Sequence, residues 1–128
     1  YAWSGWIKRS SNLSTNEFFF GGGPDGNNNT EQIAFFFMPS GAFRITTGSI
    51  VFRETNRLFR DPSSFYHLVV AFDTTQSTAS DRIKIYVNGS LVTSYTSQGD
   101  PGQNANTGIN AAVEHLLGTG STHKYLET

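Results

Sequence analysis

The sequence contains no cysteine, which excludes disulfides, thiolate metal sites, iron–sulfur clusters and cysteine nucleophiles. It also lacks any apolar run near the roughly 18 residues that a membrane-spanning helix needs, so we expect no membrane insertion. Charged residues make up only 15% of the chain and nearly cancel, with 9 Lys and Arg against 10 Asp and Glu. This balance argues against nucleic acid or an anionic membrane as an electrostatic partner.

Aromatic residues, in contrast, reach 14% of the chain, and phenylalanine alone contributes 11 residues. Together with many Ser, Thr, Asn and Gly residues, this composition favours β-sheet joined by turns. Hydrophobic residues alternate with a period of two almost everywhere. The clearest case is residues 82–87, where Ile83, Ile85 and Val87 share one strand face. Asn88-Gly89 follows as a type I′ hairpin signal, and residues 91–95 are the predicted return strand.

The remaining predicted strands are short and lie between turn signals. They cover residues 2–9, 17–20, 32–38, 43–47, 49–53, 65–73 and 112–117, and no segment predicts a helix of ten or more residues. This pattern predicts one all-β domain over residues 1–128, an antiparallel β-sandwich or jelly roll. Because the chain starts inside a predicted strand, we expect a segment of a longer polypeptide that lacks edge strands at both ends.

Two motifs in the glycine- and asparagine-rich stretch 21–29 resemble ligand sites. A G-x-G-x-x-G match is not followed by the helix that a dinucleotide site requires. Asp25, Asn27 and Asn29 have the alternate spacing of an EF-hand loop, but Thr30 and Phe36 stand where Gly and Glu are needed. The EF-hand reading therefore fails, and a looser calcium site that uses Asp25, Asn27 and backbone carbonyls stays open.

The acidic residues do not form a pattern that predicts catalysis. Cleavage of a glycoside needs two carboxylates that face one sugar, and no two acids of this chain alternate on one strand. The sequence also contains no G-x-S-x-G nucleophile elbow. The histidines form neither H-x-H nor H-E-x-x-H, which makes a zinc site unexpected. We therefore expect a protein that is not an enzyme.

The candidate ligand-binding residues lie in polar loops and beside the predicted hairpin. Sugars stack on exposed aromatic rings, and two tyrosines flank the hairpin, although a cross-strand structural role fits both as well. The polar loops expected at residues 21–29 and 97–110 could supply hydrogen-bonding groups. The candidate set is Asp25, Asn27, Asn29, Tyr86, Tyr95, Asp100 and Asn104.

Residues 59–70, 73–76 and 80–89 together resemble a known family. They are similar to the laminin-G-like, concanavalin A-like jelly-roll modules of bacteriophage structural proteins, especially those of marine phages. The opening Trp-Ser-Gly-Trp-Ile-Lys-Arg of residues 3–9 resembles the early W-S-x-W-V-K-R strand of those modules, and His115, Leu117 and Gly118 resemble a late x-H-x-I-G strand. The chain departs from the family pattern at Phe65, where a Trp is usual.

The resemblance implies a binding or structural module rather than a catalyst. It implies a virion component at the particle surface, such as a tail fibre, spike or capsid decoration, that binds host-surface glycans or neighbouring virion proteins and works as a homo-oligomer. Two alternatives remain: a purely structural assembly module without a glycan ligand, and a glucanase-like enzyme that cleaves polysaccharide. A eukaryotic secreted adhesion domain is disfavoured by the missing cysteines.

Overall fold

A computed structural model describes residues 1–10, 14–22, 32–108 and 115–117, with the side chain of Leu116 excepted. Ten strands and one 3-10 turn at Ala79–Asp81 make up the regular structure of these residues. The strands are β1 (Ala2–Lys8), β2 (Glu17–Gly22), β3 (Ile33–Phe37), β4 (Ala42–Thr47), β5 (Ile50–Leu58), β6 (Phe65–Phe72), β7 (Ile83–Val87), β8 (Ser90–Leu91), β9 (Tyr95–Gln98) and β10 (His115–Leu117).

The strands form two antiparallel sheets that pack face to face. One sheet has four strands in the order β1-β6-β7-β8, and the other has six in the order β10-β2-β3-β4-β5-β9. This arrangement confirms the predicted β-sandwich. Among the described residues, no helix is long and apolar enough to cross a bilayer.

The period-two alternation places one set of side chains between the sheets. The six-stranded sheet contributes mainly phenylalanines, whose rings contact each other at centroid distances such as 5.1 Å for Phe20 and Phe35. The four-stranded sheet contributes aliphatic residues of β6 and β7, including Leu68, Val70 and Ile85, each fully buried. Since burial of such side chains contributes about 1.5–3 kcal/mol each, this layer is the main source of stability.

Two local features depend on glycine or asparagine. Asn88 and Gly89 both have positive φ, of 49° and 83°, which confirms the predicted type I′ turn between β7 and β8. In β1 the ring of Trp3 folds over Gly5, where a Cβ atom would lie only 2.8 Å from the ring. Gly5 therefore lets Trp3 reach the core from an edge strand.

The return strand predicted at residues 91–95 is wrong in part. Only Ser90 and Leu91 pair with β7, and the chain then crosses to the six-stranded sheet, where Tyr95 lies opposite Thr55. Alternation within a segment does not reveal which sheet it joins, and the packing of the Tyr95 ring against the core draws this segment across. Other boundaries also differ: β2 extends to Gly22 and β5 to Leu58, and Ser97 and Gln98 belong to β9 rather than to a loop.

Candidate functional site

One end of the sandwich carries its longer connections. The segment 73–82 joins β6 to β7, and the segment 99–108 follows β9; together they are called the loop end below. The two segments contact each other directly, because the backbone N–H of Asn104 donates to Thr74 O at 2.8 Å. The side chain of Arg82 adds a second tie by donating from Nη1 to Pro101 O at 2.9 Å. The two segments of the loop end are therefore held against each other.

The buried guanidinium of Arg53 supports the loop end from the core side. Its side chain is 1% exposed, and it points inward from β5. Nη2 donates to Ile83 O at 3.1 Å and to Asp100 Oδ1 at 2.7 Å, while Nη1 donates to Gly99 O. With a longer contact from Nη2 to Ser80 O at 3.4 Å, one cation thus bonds backbone carbonyls and a carboxylate from both segments, as a buried charge requires.

A cleft of about 220 Å³ opens between the two segments at the loop end. Its lining is rich in hydroxyl and carboxylate groups and consists of Tyr1, Phe72, Asp73, Thr74, Thr75, Ala105 and Thr107. Hydroxyl and carboxylate oxygens that line a concave surface can hydrogen-bond a polyhydroxylated ligand. The cleft is therefore a place at the loop end where a small polar group could bind.

Asp73 gives the cleft a fixed negative charge. Its Oδ1 accepts hydrogen bonds from the Thr75 hydroxyl at 2.6 Å and from the Thr75 N–H at 3.1 Å, and its Oδ2 accepts from Gln76 Nε2 at 2.6 Å. These bonds, the Thr75 hydroxyl first, lower the pKa of Asp73 below its ordinary value. The carboxylate is consequently ionised at neutral pH and already oriented within its turn.

The structure places the predicted ligand residues in different regions. Asp100 and Asn104 lie at the loop end, where Asp100 pairs with Arg53 and Asn104 adopts a positive φ of 58°. Tyr86 lies in the four-stranded sheet, opposite Val69 and Leu91. Asp25, Asn27 and Asn29, and with them the predicted calcium site, lie outside the described residues.

Tyr95 is held by its surroundings in the six-stranded sheet. Its hydroxyl donates to Val92 O at 3.0 Å, and the Arg53 guanidinium lies 5.4 Å from its ring centroid. Burial raises the pKa of Tyr95 despite the nearby cation. The ligand contact predicted for this ring stays a prediction; the contacts in place are structural.

The family model described as the concanavalin A-like lectin/glucanases superfamily, of laminin G type, matches residues 1–121. The chain belongs to the concanavalin A-like lectin/glucanase superfamily. This finding confirms the family resemblance and the jelly-roll fold at the level of the superfamily. A search of the curated proteins and a search of the solved structures find no match.

Membership of a lectin and glucanase superfamily makes the environment of the acids informative. Three described acids pair with arginines: Glu17 with Arg9, Glu54 with Arg44 and Asp100 with Arg53. Asp81 pairs with Lys84, and Asp61 and Asp73 accept hydrogen bonds within their own turns. Every acid in the described part of the chain therefore has a structural partner. The same part contains no cluster of three or more His, Cys, Asp or Glu that could hold a metal ion.

Sequence reasoning missed the residues that shape the loop end. It left Thr74 and Thr75 between two predicted strands without noticing that Asp73-Thr74-Thr75-Gln76 can close an Asx turn directly after a buried strand. That local motif was a usable signal for the cleft. The role of Arg53 had no such signal, because its carbonyl partners Ser80, Ile83 and Gly99 are far away in sequence.

Proposed function

We propose that the chain is a non-catalytic adhesion module that binds glycans through its loop end. The observation that carries this proposal is the cleft between residues 73–75 and 105–107, which is concave, rich in oxygen and bounded by segments tied to each other. A preformed cleft lowers the entropy lost on binding, and its hydroxyl groups can exchange hydrogen bonds with those of a sugar.

The environment of the acids supports a binding role over glucanase activity. A glycosidase needs one carboxylic acid to donate a proton and a second carboxylate to face the same bond. The described carboxylates are instead paired with cations or closed within turns, as in the 2.7 Å contacts of Glu17 and Asp100 with their arginines. A reducing-sugar assay on β-glucans is therefore expected to detect no release.

The setting we propose is the surface of a virus particle, in a tail fibre, spike or capsid decoration outside the host cell. The resemblance of residues 59–89 to phage structural modules supports this part of the proposal. A shallow polar cleft gives weak single-site affinity, so a homo-oligomer displayed in many copies would gain its strength from avidity. A purely structural assembly module is the competing function, and it requires no glycan affinity.

A glycan array probed with the intact, oligomeric protein tests the proposal. Thr74→Val keeps the shape of the cleft but removes one hydroxyl, and Thr93→Val makes the same change in an exposed residue away from the cleft. We expect Thr74→Val to weaken binding about threefold to tenfold, the effect of one hydrogen bond, and Thr93→Val to leave it unchanged. Equal binding by both variants, or no glycan bound by any preparation, would contradict the proposal.

A further inference from the structure

The outer face of the four-stranded sheet exposes aromatic side chains instead of the usual polar ones. Trp6 is 68% exposed and Phe65 is 59% exposed, and both lie on the side of the sheet that points away from the core. The strand registers place further side chains in the same layer. This surface, called the aromatic face below, consists of Ser4, Trp6, Lys8, Phe65, His67, Val69, Lys84, Tyr86 and Leu91. Large exposed apolar groups gathered in one patch indicate a contact surface.

Among the described residues, the ring of Trp6 has one aromatic neighbour. Its ring lies 4.8 Å from that of His67, its cross-strand partner, at an interplanar angle of 35°. His67 Nε2 and Ser4 Oγ share a hydrogen bond of 3.2 Å, and the backbone N–H of His67 donates to Asn88 Oδ1 at 2.9 Å. The support beneath Trp6 is thus fixed, and the opposite ring face is open to a ligand at little cost in ordering.

The charge of the aromatic face has one sign. Its described side chains include Lys8 and Lys84 but no carboxylate, and only Asp81, at the margin, reaches Lys84 at 3.2 Å. The ammonium group of Lys8 lies 5.6 Å from the Phe65 ring centroid, beside the open rings. A second copy of the chain placed face to face would bring like charges together, which disfavours it as the occupant. An anionic partner is complementary.

The size of the aromatic face also argues against a protein partner. Four strands spaced about 4.8 Å apart and at most eight residues long, at about 3.3 Å each, cover a flat area of at most about 510 Å². A stable protein interface buries about 800 Å² on each partner. The aromatic face is therefore suited to a few sugar units.

We propose that the aromatic face binds an acidic polysaccharide, one that carries carboxylate or sulfate groups. The C–H face of a sugar ring stacks on Trp6, because its weakly positive hydrogens meet the negative face of the indole. An anionic group of the same or the next sugar pairs with Lys8. The inference rests on the proposed glycan-binding function, and it assigns a contact region separate from the loop end.

Tryptophan fluorescence gives a direct test, because the chain has two Trp residues and they differ in environment. Trp3 packs on Phe35 and Phe20 in the core, whereas Trp6 is exposed. Titration of the intact protein with alginate oligosaccharides, which are polyuronates, is expected to change the emission, and neutral dextran oligosaccharides are expected to leave it unchanged. Trp6→Phe should abolish the spectral change while keeping part of the affinity measured by calorimetry.

The variants separate the aromatic ring from the charge. Trp6→Ala should lower alginate affinity at least about tenfold, as for other central aromatic anchors. Lys8→Gln should lower it about threefold and flatten its dependence on salt. Ile50→Ala is the matched control, since Ile50 is also exposed, at 48%, but lies in the six-stranded sheet. It should bind like the parent protein, and the melting temperatures of the parent protein and the three variants should agree within a few degrees.

The outcomes distinguish this inference from the proposed function. If Trp6→Ala binds alginate like the parent while Thr74→Val loses glycan binding, the inference is overturned and the proposed function stands. Binding of dextran but not of alginate would likewise overturn the inference and leave the proposed function standing. A change of oligomeric state in Trp6→Ala without loss of alginate affinity would identify the aromatic face as a contact between copies and would overturn the inference. If no glycan binds the intact protein, both fail.

Discussion

The two ends of the sandwich are each held by one buried arginine, but the two arginines hold different kinds of structure. At the loop end Arg53 donates to Gly99 O and Ser80 O, carbonyls of the two long connections. At the opposite end, called the turn end and formed by residues 38–41, 59–64 and 88–89, Arg9 donates to Glu17 Oε2 and Phe59 O, each at 2.7 Å. Both cations combine one carboxylate with backbone oxygens, as burial of a charge requires.

The turns at the turn end also close through their own backbone. Gly41 N donates to Met38 O at 2.9 Å, and Met38 N donates to Ala42 O at 2.9 Å. At the loop end, residues 99–101 are tied to distant parts of the chain, by the backbone bond from Gly99 N to Phe52 O and by the side chains of Arg53 and Arg82. The comparison indicates that turns of the turn end close within themselves, whereas the shape of the proposed binding surface depends on contacts between residues far apart in sequence.

The largest expected effect is the loss of either buried cation. Arg53→Met should lower the free energy of unfolding by about 3–5 kcal/mol, because it leaves Asp100 and several buried carbonyls without their partner. Arg9→Met should cost less, about 2–3 kcal/mol, because its guanidinium has fewer partners. Urea denaturation measures both changes.

Arg57→Met is the matched control for these two variants. Arg57 is exposed, and its guanidinium lies 5.4 Å from the centroid of the Phe59 ring. Its replacement should lower the free energy of unfolding by about 0.5 kcal/mol or less. Equal losses for Arg53→Met and Arg57→Met would show that the buried cation does not support the loop end, and the comparison of the two ends would fail.

These arginines also mark the limit of what the sequence predicts. Alternation identified most strands, and the Asn88-Gly89 pair identified its turn, because each depends on neighbours in the chain. It missed the crossing of Tyr95 to the six-stranded sheet and the burial of Arg53. Both depend on contacts between residues far apart in sequence, such as the 2.7 Å bond from Arg53 to Asp100.

The same limit applies to the candidate site. Composition placed binding in the loops, and Asp100 and Asn104 do lie at the loop end, but the cleft of Asp73, Thr74 and Thr75 forms only when segment 99–108 packs onto segment 73–82. The exposure of Trp6 was implicit in the alternation of β1. Its use as a supported stacking surface became visible only from the pairing of β1 with β6, which places His67 beneath the Trp6 ring.

A smaller effect should separate the two ends without unfolding either. Asp100→Asn keeps the shape of the side chain but removes the charge that faces Arg53, and we expect a loss of about 1–2 kcal/mol. In hydrogen exchange, the amides of Gly99 and Asn104, which donate to Phe52 O and Thr74 O, should lose protection.

The amides of the turn end serve as the internal control in that experiment. Gly41 N donates to Met38 O within its turn at 2.9 Å, and Asn88 N donates to His67 O of β6 at 2.8 Å, so both amides should exchange as in the parent protein. Glu17→Gln is the matching change beside Arg9. It should lower the protection of the turn-end amides and leave that of the Gly99 and Asn104 amides unchanged. Uniform loss of protection at both ends in either variant would mean that the two ends open together, contrary to the comparison.

The smallest expected effect is in acid, where each end carries one carboxylate that closes a turn. Hydrogen bonds from the Ser63 and Ser64 hydroxyls lower the pKa of Asp61, at the turn end, to about 2, and those from Thr75 and Gln76 also lower the pKa of Asp73, at the loop end. Both values lie below the ordinary 3.8, so each turn contributes its full stability above that pH and loses it as the pH falls through the folded pKa.

Both turns should therefore stay closed at pH 3.8 and open on further acidification, the turn-end turn only near pH 2. Carboxyl carbon NMR titration of the intact protein, with Asp61→Asn and Asp73→Asn to assign the signals, measures both midpoints. A midpoint at or above 3.8 for either carboxyl would show that its turn does not hold the carboxylate. Because both carboxylates are fully exposed, high salt and solvent contact keep these contributions to stability small, and the two midpoints are the sharper observable.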